Sequence, residues 1–153
     1  MAGAILRGMT AAGFPGNDLL VYDTDAAKLA ALFEECGIRI CDSGTEVAEG
    51  ADALLLAVKP QAFPEVLPAL SPVLRRRRLL VISIAAGKTL ASIEALAGSE
   101  LPIVRVMPNL NARVGEAISA FCGNSLVTEE HRDAVRMIFE TVGEVMELEE
   151  RYF

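Results

Sequence analysis

Apolar residues fall along this chain in short blocks whose spacing alternates between the period of a helix and that of a buried strand. The strongest block is 51–61, ADALLLAVKPQ, in which Leu54, Leu55, Leu56, Ala57 and Val58 are apolar at every position. A parallel strand covered by helices on both faces requires that pattern. Gly50 ahead of it and Pro60 behind it hold the run to strand length, so it is expected as the central buried strand.

The other blocks arrange themselves around that strand. Residues 1–12 carry Ile5, Leu6 and Met9 at helical spacing and close on Gly13, a helix stop. Phe14, Pro15, Gly16 and Asn17 make a turn, and 19–22 is a short strand ended by Asp23. Thr24 or Asp25 caps a helix over 26–36 with Leu29, Leu32 and Phe33 inward, stopped by Gly37. A short strand at 38–41 and a short helix at 43–49 lead into the central strand. Beyond it, Pro64 suits the first turn of a helix that Pro68 must kink or end, and Ser71 and Pro72 restart a helical turn. Strands at 79–84, 103–107, 117–122 and 144–148 alternate with helices at 90–96 and 128–142, the last with Ala134, Val135, Ile138 and Val142 inward.

This alternation predicts an α/β protein with a doubly wound, mostly parallel sheet, as one domain over 1–153. Ligands of such sheets bind off the carboxyl ends of the strands, which places Val58, Lys59 and Pro60 at a ligand edge.

Composition narrows the picture. With 153 residues, 52% of them hydrophobic, the chain is expected to be globular with a sizeable core. Its apolar stretches stop at Lys59 and Gly87, short of the ~18 residues of a membrane span, and 1–14 lack a secretory leader pattern, so a soluble, cytoplasmic chain is expected. Cys36, Cys41 and Cys122 are odd in number and lack CxxC spacing, which supports neither a disulfide framework nor a zinc site. A net charge of -7 speaks against a nucleic-acid surface. The run Arg75, Arg76, Arg77 and Arg78 precedes a strand and reads as a solvated face at the amino edge, matched to a helix dipole. His131 is read as a surface residue and Cys122 as a core thiol. Glu144, Glu147, Glu149 and Glu150 are read as exposed strand-end charges rather than a metal cluster.

Four motifs follow in order: AVKPQ at 57–61, ISIAAG at 82–87, RVMPN at 105–109 and VGEV at 142–145. Together they resemble the pyrroline-5-carboxylate reductases, over residues 1 to about 150. The resemblance implies hydride transfer from a reduced dinucleotide, NADP by family habit, to the imine carbon of 1-pyrroline-5-carboxylate, giving proline. It places Met1 and Ala2 as the end of a Gly-x-Gly-Asn-Met-Ala motif whose first strand and leading glycines lie upstream. The sheet is therefore expected without its first strand, and the helical domain that follows in the family, with its substrate contacts and dimer interface, has no counterpart here.

By that resemblance the cofactor lies against Met1, Ala2, Asp23, Thr24, Ala57, Val58, Lys59, Pro60, Ala85, Ala86, Gly87, Met107, Pro108 and Asn109, with no catalytic side chain assigned. Ala85, Ala86 and Gly87 are small enough for a flat nicotinamide to approach the backbone. Asp23 is the kind of strand-end carboxylate that binds the ribose hydroxyls of NAD and repels the extra phosphate of NADP, so NAD stays open beside NADP. Gly44 stands where the family often has an Asn that meets the cofactor, and Asn111 where it has a Pro. The family assembles as a homo-oligomer, and the isolated chain is expected not to turn over substrate. Two rivals stand beside this reading: a noncatalytic nucleotide-binding or interaction module, and an oxidoreductase of related architecture with another substrate.

Overall fold

The computed structural model describes every residue from Met1 to Phe153. The helices are α1 (Ala2–Ala11), α2 (Ala26–Cys36), α3 (Gly44–Gly50), α4 (Phe63–Arg77), α5 (Leu90–Ala97) and α6 (Glu129–Phe139). The strands are β1 (Leu20–Val21), β2 (Arg39–Ile40), β3 (Ala53–Leu56), β4 (Leu80–Ser83), β5 (Ile103–Met107), β6 (Ala117–Gly123) and β7 (Gly143–Glu147). The alternation read from the sequence is present, and no helix is long and apolar enough to cross a membrane.

The strands form two sheets. β1 and β2 pair in parallel by themselves, while β3-β4-β5-β6-β7 form a five-stranded sheet in which only β5 and β6 are antiparallel. The β5 to β6 connection is a single 3-10 turn, Leu110–Val114, too short for the crossover a parallel pair needs. β3 is therefore not central. It pairs with β4 alone, Ala53 opposite Leu80 and Leu56 opposite Ser83, and no strand pairs with its other edge. The strand also stops at Leu56, so Ala57 and Val58 are exposed and Leu55 is only half-buried. An apolar run reports that both faces are covered and is silent about how many strands lie alongside.

Helices cover both faces of the larger sheet. On one, Val47 of α3, Leu67, Leu70 and Leu74 of α4, and Ile93 and Ala97 of α5 pack on Leu54, Leu56, Val81 and Ile103. On the other, Ile5 and Met9 of α1 and Val135 and Phe139 of α6 pack on Leu80, Ile82, Val104, Val106 and Phe121. This is the doubly wound arrangement.

Three local expectations are corrected. α4 runs unbroken through Pro68 and Pro72. Pro64, Pro68 and Pro72 recur four apart and are exposed, so the carbonyls their missing N–H groups would have bonded lie on the water side, while Phe63, Leu67, Leu70 and Leu74 fill the inner face. Phe33 of α2 is 52% exposed rather than inward, because α2 buries only the narrow stripe of Leu29 and Cys36 against Ile38, its other neighbour being α1. Val142 is buried as expected, but from the 3-10 turn Glu140–Val142 that follows the end of α6 at Phe139. Gly143 next to it has φ 148°, and a Cβ there would stand 2.1 Å from the Ala117 carbonyl oxygen, which explains the glycine of VGEV.

Candidate functional site

Since β3, β4 and β5 are parallel neighbours, their carboxyl ends bring 57–60, 84–88 and 107–109 to one edge of the sheet. Lys59 is exposed there, and Pro60 opens the 3-10 turn Pro60–Ala62, closed by the Ala62 N–H donating to the Lys59 carbonyl at 2.9 Å. Lys88, after β4, lies over the Phe63 ring with its Nζ 5.8 Å from the centroid. Lys28 pairs with Asp25, whereas Lys59 and Lys88 have no carboxylate within ion-pair distance. Two unpaired ammonium groups on one edge make it attractive to an anion.

At the end of β4, Ser83 is wholly buried and its Oγ accepts the Ala85 N–H at 3.3 Å. Ala85 is buried; Ala86 and Gly87 are exposed. Gly87 has φ 72° with nothing within 4 Å of a Cβ, so the left-handed backbone demands glycine here, not a close approach within the chain. At the end of β5, Met107 is exposed and Asn109 closes the loop: its Oδ1 accepts the Asn111 N–H at 3.2 Å and its carbonyl accepts the Ala112 N–H at 3.2 Å. The loop is thus tied down with Asn111 in place of proline.

Asp23 and Thr24 are exposed beyond β1. The Asp23 Oδ1 accepts the Asp25 N–H at 2.9 Å, and Asp25, not Thr24, caps α2 by accepting from Ala27 and Lys28. Gly44 is the first residue of α3, and a Cβ on it would meet Leu70 at an ordinary 3.5 Å. Met1 is exposed ahead of α1, which has no side-chain cap, and Ala2 is half-buried. One concavity, about 540 Å³, lies elsewhere: it runs along α1 past Met1, Ala4, Arg7 and Gly8 toward Arg113 and Thr141. Of the residues expected at the cofactor only Met1 lines it.

One buried polar group beside this edge was missed. Arg105, 7% exposed in the middle of β5, stands opposite Ser83 and Cys122 in the ladder. Its Nη1 is 3.3 Å from Glu150 Oε1, and its guanidinium lies 4.8 Å from the centroid of the Phe153 ring. The same Glu150 oxygen accepts the Leu90 N–H at 2.7 Å, at the start of α5. Glu150 is therefore not an exposed strand-end charge; Glu144, Glu147 and Glu149 are exposed as expected, with Glu147 held by Arg132 and Arg136 and Glu149 by Arg151. A signal was present: in IVRVM the arginine falls on the inward alternation with Ile103, and a buried guanidinium needs a carboxylate.

The remaining candidates have structural roles. Burial pushes the Cys122 thiol up to about 11, with the Glu150 charge adding to the effect, so it is no nucleophile. His131 completes a capping box with Thr128 at the start of α6. Arg75 pairs with Glu100 and Arg76 with Glu49, while Arg77 donates to the Ala48 and Ala51 carbonyls at the end of α3. The basic run is exposed as expected, and it also ties two helices together.

A sequence family described as "NADP oxidoreductase coenzyme F420-dependent" matches residues 1–87, more than half of the chain. The chain belongs to that family. Within this oxidoreductase family its relatives agree with the resemblance read from the motifs. The pyrroline-5-carboxylate reductase of Escherichia coli is 39% identical over 94% of this chain and 54% of its own length. Among solved structures, the pyrroline-5-carboxylate reductase of Coxiella burnetii superposes with a TM-score of 0.94 at 31% identity, covering 97% of this chain and 55% of that one. That of Plasmodium falciparum, solved with NADP bound, has a TM-score of 0.85 at 30% identity, covering 97% and 53%. The chain thus spans about half the length of the reductases it matches, and it shares their doubly wound nucleotide-binding fold.

Proposed function

We propose that this chain is the NADP(H)-holding half of a reductase that converts 1-pyrroline-5-carboxylate to proline. The observation that carries the reading is the meeting of 57–60, 84–88 and 107–109 on one sheet edge, with Lys59 and Lys88 unpaired there, in a chain alike to a reductase solved with NADP. That edge suits the group: its cations match phosphate, and the exposed Ala86 and Gly87 leave room beside the backbone. The dinucleotide supplies the hydride when bound; the loops of that edge orient it. Asp23, exposed with one oxygen engaged by its own turn, keeps NAD as the competing cofactor.

Met107 lies in register with Ala120 and Met146, and together with Ile118 they leave an apolar strip exposed on one face of β5, β6 and β7. The reading assigns that strip to the substrate-binding half of the reductase and the homo-oligomer it forms. A cytoplasmic location agrees with the three free cysteines, Cys36, Cys41 and Cys122.

The test is a chimera in which this chain replaces the matching half of a pyrroline-5-carboxylate reductase. NADPH oxidation dependent on pyrroline carboxylate is expected, and Lys59→Ala should raise the dinucleotide KM about tenfold, worth ~1.4 kcal/mol. Tight dinucleotide binding with no turnover at saturating substrate favours the noncatalytic module instead. Turnover of other small imines or carbonyls alone favours the related oxidoreductase.

A further inference from the structure

Two of the loops at the carboxyl edge are joined by a side-chain contact. Lys88 is half-buried, and its Nζ lies 5.8 Å from the centroid of the Phe63 ring. Phe63 is wholly buried: it opens α4 directly after the turn Pro60–Ala62 and packs in the cluster that holds Leu56, Leu67, Val81 and Ala85. The contact therefore runs from the loop after β4 to the loop after β3. The β4 loop is anchored at its start, where the Ile84 N–H donates to the Leu56 carbonyl at 3.3 Å and the Ala85 N–H to Ser83 Oγ. It is anchored again at its end, where the Leu90 N–H donates to Glu150 and the Ser92 N–H to Thr89 Oγ1 at 3.1 Å. Between these anchors Ala86 and Gly87 are exposed, and the N–H of neither donates to a group of this chain.

Charge makes Lys59 and Lys88 alike; their surroundings do not. Lys59 is exposed, with neither a carboxylate nor an aromatic ring against its ammonium. We propose that Lys88 is a positioning residue of the dinucleotide edge: its stem and ammonium, laid on the Phe63 ring, hold the turn at Ala86 and Gly87 against the core and so fix its distance from Lys59 and Pro60. The proposal rests on the cofactor reading above, and it divides the work, Lys59 acting on the anion itself and Lys88 on the loop. An ammonium over an aromatic face is attracted to the ring while keeping its charge, and the four-carbon stem covers apolar surface. Methionine in its place covers the ring without the attraction, whereas arginine supplies both. Gly87, at φ 72°, has no side chain with which to brace the turn, so the brace falls to its neighbour.

The first arm of the test uses the whole chain without dinucleotide and reads backbone order parameters at Ala86 and Gly87 by NMR relaxation. Values near about 0.85 are expected in the parent and in Lys88→Arg, with a fall toward about 0.6 in Lys88→Ala and Lys88→Met and no change from Asn109 to Gly115. Equal values in the parent and Lys88→Ala, a Lys88→Met chain as rigid as the parent, a Lys88→Arg chain as loose as Lys88→Ala, or an equal fall from Asn109 to Gly115 overturns the proposal. The second arm uses the chimeric reductase. There Lys88→Ala should raise the dinucleotide KM about three- to tenfold at low and high salt alike, because a lost brace is not screened, while the increase from Lys59→Ala should shrink as salt rises. A Lys88→Ala effect that fades with salt as that of Lys59→Ala does marks a direct contact with phosphate and overturns the proposal. The first arm involves no dinucleotide, so its failure leaves the cofactor reading standing; a parent chimera that binds no dinucleotide overturns that reading and leaves the first arm to decide on Lys88.

Discussion

Removing Glu150 should destabilise the fold far more than removing its neighbour Glu149, although both are acidic and adjacent. Glu150→Ala leaves the Arg105 guanidinium, with its side chain 8% exposed, without a carboxylate, and the Leu90 N–H without its acceptor. Breaking a buried pair from one side costs about 3–5 kcal/mol. The Glu150 side chain is 32% exposed, so water replaces part of the attraction, and the expected loss falls to about 2–3 kcal/mol. The Glu149–Arg151 pair is 68% and 67% exposed, and Glu149→Ala should cost about 0–0.5 kcal/mol. Urea unfolding followed by circular dichroism gives both values from the midpoints, provided the slope stays constant. Replacing both partners, Arg105→Met with Glu150→Leu, should recover most of the loss, because no charge is then left buried. Equal midpoints for the two single variants, or a double variant as weak as Glu150→Ala, would refute the reasoning.

Arg78 ends α4 at φ 49°, so Arg78→Gly should raise stability by about 1 kcal/mol, read as a higher urea midpoint. Cys122 is kept neutral by burial, its thiol raised from 9.0 to about 11. Stability from this group is complete below the unfolded thiol's value and is lost as pH climbs from 9.0 toward about 11, by at most about 2–3 kcal/mol; Cys122→Ala should flatten that part of the pH profile. In the chimeric reductase, Asp23→Ser should shift preference toward NADPH over NADH by about 1–3 kcal/mol, and an unchanged ratio of kcat/KM values removes Asp23 as the selector.

Much of the fold was legible because it rests on period and punctuation. Asp25, Ser43, Thr89 and Thr128 each cap a helix with a side-chain oxygen, and Gly37 ends α2 in the left-handed region. What failed depended on context that period does not encode. Phe33 sits at a helical position that would be inward on a wide sheet, and the two residues of β1 and β2 are too few to cover it. Pro68 is tolerated within α4 on its exposed side, and whether a turn faces water is a tertiary fact.

The site was legible as an address and less so as a mechanism. The motifs marked the three strand ends that β3, β4 and β5 bring together, because a strand that ends in Pro, Gly or Asn has to end there. The Arg105–Glu150 pair escaped because its members are 45 residues apart and each has an ordinary local explanation: an arginine in a motif, and an acid among acids. The error over β3 has a related cause and a larger consequence. Its run of leucines correctly reports burial on both faces, which is why it looked central, yet half of the backbone pairing that a central strand enjoys is missing. A strand with central side chains and an edge backbone is in conflict with itself, since apolar edges invite pairing and native edge strands usually carry charge or proline to prevent it. β3 carries neither between Ala53 and Leu56. The sequence of this strand therefore reports two covered faces, while its pairing with β4 alone is a fact of topology that side-chain pattern does not encode.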